Sequence, residues 1–159
     1  MAPAKTDVGF TYDVPKPVAE RVVRFHLIDN TRGEPPFWEA KHVRRSKMTL
    51  TVVRATADAI DLSLDGEALL STDAEPAKAD RGYEVRLRGD LRYLPAKQTF
   101  DRFDIAAVGD HWGEGTFTRG ARPDRKPLGV AFGPIAGERP ADRVPPQGAR
   151  EEKRYFGRE

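Results

Sequence analysis

The sequence predicts an all-β fold, an antiparallel meander of about six to eight strands, from three observations. First, residues 81–94 alternate strictly. Tyr83, Val85, Leu87, Leu91 and Tyr93 share one parity, while Glu84, Arg86, Arg88, Asp90 and Arg92 share the other. Side chains point to opposite faces at successive strand positions, so this pattern describes one buried and one solvated face. Second, the turn at Leu94-Pro95-Ala96-Lys97-Gln98 returns the chain directly into a second strand, 99–109. Third, the alternating segments 48–55 and 60–71 are joined only by Thr56-Ala57-Asp58-Ala59, a hairpin-length connection. Closing the sheet into a small β-barrel removes its edges, and a β-sandwich is the alternative.

The first eight residues read as a loose arm, and Phe10 and Tyr12 as a short edge strand ended by Pro15 and Pro17. Residues 18–29 fit two readings. Pro17 suits the first turn of a helix, but Val22, Val23, Phe25 and Ile28 favour extended structure. The expectation is a strand over 21–28 whose two faces are both covered. Residues 30–36, rich in Gly, Pro and Asn, form a loop. Phe37 and Trp38 follow, then a basic patch at Lys41, His42, Arg44, Arg45 and Lys47, with a short helix over 39–45. Gly66 is expected to mark a bulge in the 60–71 strand, and Gly89 a bend or close backbone approach. Residues 72–80 form a polar loop and 110–115 a loop carrying His111, Trp112 and Glu114. A short strand at 116–118, a basic turn region and a closing strand at 128–132 complete the β domain, 1–136. Residues 137–159 read as an extended charged, proline-containing tail with Tyr155 and Phe156 as a docking anchor.

At 159 residues the chain fits one domain able to bury an ordinary core. The net charge of +2, from 27 basic and 25 acidic residues, demands neither nucleic acid nor an anionic membrane. The absence of cysteine excludes disulfides, thiolate metal sites and a cysteine nucleophile. No apolar run approaches the roughly 18 residues of a membrane helix, and the N-terminus lacks the features of a signal peptide. The expectation is a cytoplasmic chain, or a trimmed domain of an exported protein.

Two clusters carry potential chemistry. His26, Asp29, Arg32 and Glu34 join His111 and Glu114 if the 21–28 strand lies beside 99–109. Histidine and carboxylate build metal sites and acid–base pairs without cysteine, so His26, His111 and Glu114 are the metal candidates. The rings of Phe37, Trp38 and Trp112 with Arg24, Arg32 and Arg45 suit a flat or sugar-like ligand bearing a negative group. A weaker third reading is single-stranded nucleic acid on the basic segments and the arginine face of 86–92. There is no Gly-rich phosphate loop and no G-x-S-x-G elbow. Ser46, Ser63 and Ser71 have no linked histidine, and no cofactor is indicated.

The leading expectation is a non-catalytic module binding a small molecule or a protein at the end carrying loops 29–38 and 110–115. Its site residues are Arg24, His26, Asp29, Arg32, Glu34, Trp38, His111, Trp112 and Glu114. The alternative is a metal-dependent or acid–base enzyme on the histidine–carboxylate cluster. No membrane partner is expected, and the tail is a candidate for packing on a second copy of the chain.

Overall fold

A computed structural model describes residues 1–31, 33–115, 117–120, 124–135, 137 and 144–157. Six antiparallel strands form one sheet in the order of the chain: β1 (Thr11–Asp13), β2 (Val43–Ala55), β3 (Ile60–Ser71), β4 (Arg81–Leu94), β5 (Thr99–Gly113) and β6 (Lys126–Phe132). Short connections and alternating patterns impose this neighbour-to-neighbour order. The expected barrel closure is not seen: β1 and β6 are the two edges, and no ladder joins them among the described residues. A sandwich's second sheet is likewise absent there. The inner face is covered instead by helix and loop.

Register aligns the inward residues into rows. Leu50, Leu64, Gly89, Ile105 and Phe132 lie across five strands, and Met48, Gly66, Leu87, Ala107 and Val130 form the next row. Gly66 therefore sits in regular pairing. The bulges fall instead between Val43 and Arg45, Val52 and Arg54, and Arg92 and Tyr93. Gly89 is a close approach, as expected: a Cβ there would lie 2.5 Å from the Asp104 carbonyl oxygen.

The expected strand over 21–28 is a helix. α1 (Lys16–Arg21) opens with Pro17 in its first turn and continues as a π-helical turn, Val22–His26, closed by Leu27 N–H on Val22 O at 3.2 Å. Val23, Leu27 and Ile28 join the core against the sheet. Phe25 is buried on another side, stacked on Phe37 at 4.9 Å and edge-on to Tyr155 at 5.3 Å. Burial from two directions overrides the extended preference of the β-branched residues.

The C-terminal segment forms two short helices, α2 (Pro146–Arg150) and α3 (Glu152–Tyr155), where an extended tail was expected. They pack on their own chain. Tyr155 is buried, its carbonyl accepts from Arg21 Nε at 2.8 Å, and Gln147 Nε2 donates to Asn30 Oδ1 at 2.6 Å. Among the described residues no helix is long and apolar enough to cross a membrane.

Strands β4 and β5 run closest at Gly109, where a Cβ would lie 1.9 Å from Glu84 O and 2.6 Å from Val85 Cα. Gly109→Ala should therefore lower the unfolding free energy by about 1–3 kcal/mol or more, as overpacking does. Urea denaturation reads this directly, and an unchanged midpoint would contradict the close strand approach.

Candidate functional site

Residues 33–37 cross one end of the sheet because Trp38 ties them to the helix. Trp38 donates its main-chain N–H to Arg24 O at 2.9 Å and its indole N–H to Leu27 O at 2.8 Å. In return Arg24 Nε donates to Trp38 O at 3.0 Å. Carbonyls at a helix C-terminus lack intrahelical partners, and the tryptophan supplies them. The loop then meets the chain leaving β5. A Cβ on Gly33 would lie 2.6 Å from Phe117 O, and one on Gly115 would lie 3.2 Å from Pro36 Cδ. The two loops singled out from the sequence converge.

Between them lies a cleft of about 600 Å³ whose lining includes Phe37, His42, Asp80, Arg81, Glu114 and Arg119. Arg81, the first residue of β4, forms its floor and is 4% exposed. Its guanidinium lies 3.9 Å from the centre of the Trp38 ring, and Nη1 donates to Pro36 O at 3.1 Å. Nε is buried without a hydrogen-bond partner, and no carboxylate pairs with Arg81 among the described residues. Burial pushes its pKa down to about 10, which leaves it protonated at neutral pH. Stacking on tryptophan offsets part of the cost of burying this charge. Two of the three carboxylates on the described lining are engaged elsewhere: Glu39 pairs with Lys41 at 3.0 Å, and Glu114 accepts from Gly120 N–H.

The other candidates separate. Arg32 lies outside the described residues. Asp29 is buried and accepts from the Thr31 main-chain N–H and hydroxyl, a local turn. Glu34 pairs with Arg150 of α2. His26 meets the Tyr155 hydroxyl through Nε2 at 3.1 Å and lies near Phe132. The expected 110–115 loop is the end of β5 as far as Gly113, because its residues continue the ladder: Tyr83 pairs with His111 and Gly82 with Trp112. His111 is consequently buried beside the Tyr83 ring, at 5.6 Å. Trp112, one position on, takes the opposite face, lies over Gly82 and carries the Arg125 guanidinium at 4.0 Å. Trp38 and Trp112 thus occupy different faces of the sheet.

The juxtaposition of His26 with His111 required a strand at 21–28, and that segment is helical. Among the described residues no three His, Asp or Glu side chains come together in a way that could hold a metal ion. On the outer face, Arg88 pairs with Asp65, Arg92 with Asp61, Arg102 with Asp90 and Asp104, and Arg45 with Glu67 and Glu84. That interlacing answers cation with carboxylate where a nucleic acid would need them uncommitted.

Sequence reasoning missed Arg81, His42 and Arg119 in the cleft. A signal for Arg81 was present: it shares the inward parity of Tyr83, Val85 and Leu87, so the buried face of β4 begins with a cation. Comparison with protein-family models, with curated proteins and with solved structures gave no match.

Burial, and then the nearby Arg21 charge, lower the His26 pKa from 6.5 to about 4. The unfolded chain binds the proton near 6.5 and the folded chain only near 4, so the unfolded state holds more protons in between. The stability held above about pH 6.5 is lost as pH falls toward 4. After allowance for partial exposure, the loss is on the order of 2 kcal/mol. Urea titrations from pH 7 to 4 should show a steeper decline for the native chain than for His26→Gln. Parallel declines would remove the buried neutral histidine from the account.

Proposed function

We propose that this chain is a non-catalytic binding module that takes a small carboxylate-bearing ligand in the cleft between residues 36–42 and 114–119. One observation carries the reading: Arg81 is a protonated guanidinium at the cleft floor with no carboxylate partner among the described residues. A cation in a partly desolvated recess projects its field along the opening and favours an anion there. Arg119 and His42 on the lining add donors, and the half-buried Phe37 ring offers a flat apolar wall. Asp80 supplies an acceptor for hydroxyl or amine groups on the same ligand, which favours a monoanion carrying polar substituents over a polyanion. Clefts of this size accommodate small molecules. Glu39 and His42, which share the cleft, are tied into the turn at 39–42, where His42 Nδ1 accepts from the Glu39 main-chain N–H at 3.3 Å, so the reading is of binding alone.

The test is a thermal-shift screen of benzoate, 4-hydroxybenzoate, lactate and succinate, followed by calorimetric titration of any that raise the melting temperature. A ligand at about 100 times its Kd adds roughly 2.7 kcal/mol. Replacing Arg119 with alanine should weaken binding several-fold without altering the melt. Arg81→Gln should remove binding while circular dichroism reports an intact sheet. A panel without any saturable binder, or binding retained in folded Arg81→Gln, would end this reading.

A further inference from the structure

A second recess lies between α1 and the C-terminal helices, with a volume of about 380 Å³. Its lining includes Glu20, Arg21, Arg24, Phe25, Arg154 and Tyr155, which is three guanidinium groups and one carboxylate among the described residues. That carboxylate already lies 3.7 Å from Lys16 Nζ. Arg21 and Arg24 stand three positions apart on one helix, where like charges are neighbours and repel.

Both side chains are nevertheless held in place through Nε. Arg21 Nε donates to Tyr155 O at 2.8 Å and Arg24 Nε to Trp38 O at 3.0 Å. Aromatic rings support them as well: Arg21 lies 5.2 Å from the Tyr155 centroid, and Arg24 lies 5.3 Å from Phe25. Arg154 of α3 lies 5.6 Å from Phe37, with its Nε 3.9 Å from Glu151. These bonds fix the arginines through Nε and leave the Nη groups of Arg21 and Arg24 without a hydrogen-bond partner among the described residues. Two fixed guanidinium forks with uncommitted ends, and a third cation opposite, match a tetrahedral dianion, since each fork can bind two of its oxygens.

We infer that this recess is an anion site distinct from the Arg81 cleft, and that it takes a phosphate monoester borne on a flat ring. The phosphate answers the guanidinium cluster, and the ring rests against Phe156, which lines the recess and is 40% exposed. Binding also removes the repulsion between Arg21 and Arg24, which raises affinity for two negative charges over one.

Calorimetric titration of phenyl phosphate into the full chain tests this, with benzoate and benzyl alcohol as probes of matched ring and lower charge. Phenyl phosphate should saturate and bind at least ~10-fold more tightly than benzoate. Arg24→Gln and Arg154→Gln should each weaken it by ~10-fold or more, and Arg119→Ala in the cleft should leave it unchanged. Arg154 is half-exposed, so its variant decides the matter should Arg24→Gln fail to fold. No saturable heat, an equal affinity for benzoate that Arg154→Gln also lowers, or full affinity of phenyl phosphate in folded Arg154→Gln would overturn the inference. Loss of binding in Arg119→Ala alone would also overturn it, by assigning the anion to the cleft.

Discussion

Trp38 is buried where helix, loop and sheet meet, and its bonding groups and ring face tie the helix to the sheet. Its two N–H groups close the end of the helix on Arg24 O and Leu27 O, and its ring face receives Arg81 from the start of β4. Removing any one of these would leave a buried carbonyl or a buried cation uncompensated, each a cost comparable with a sizeable share of a domain's net stability. The position of the 33–37 loop, and with it the shape of both recesses, follows from that junction. Phe37, the residue before Trp38, is the wall between them: it lines the Arg81 cleft and stacks at 4.9 Å on Phe25 beside the arginine cluster.

The sheet divides its labour by parity. Its inward rows bury aliphatic side chains under the helix, and its outward rows carry a lattice of arginines and carboxylates. Those exposed pairs contribute little to stability individually. Arg81 and Arg24 differ from them in being held by aromatic faces and main-chain carbonyls rather than by carboxylates. Arginines secured in this way keep their charge available, which is why both recesses are read through them.

The strands were legible in the sequence because each carries its own period-two signal and each connection is short; the span of β3 and the turn at 95–98 follow from local pattern alone, whereas β2 begins at Val43, inside the helix expected over 39–45, and β5 runs on to Gly113. The helix was not legible. Val23, Phe25 and Leu27 imitate a strand's alternation, and only the tertiary partners, core on one side and Phe37 with Tyr155 on another, reveal that both directions are occupied. The same error displaced His26 from its expected neighbour. The glycines around His111 and Trp112 suggested a loop, whereas Gly109 and Gly113 are required by close strand approach. Convergence of the 29–38 and 110–115 regions was anticipated from residue density, but Arg81 was overlooked because the alternation was counted from Tyr83.

The contacts of α2 and α3 have a consequence for how the molecule is made. Every strand pairs with its neighbour in sequence, so the sheet requires only short chain closures and can assemble as it emerges during synthesis. The helix and the loop beside it depend on residues made much later: Tyr155 lies 129 positions from its partner His26, and Gln147 lies 117 from Asn30. A nascent chain halted after β6 would therefore carry a finished scaffold and an unfinished recess. The arginine cluster would gain its third member only when translation reaches α3.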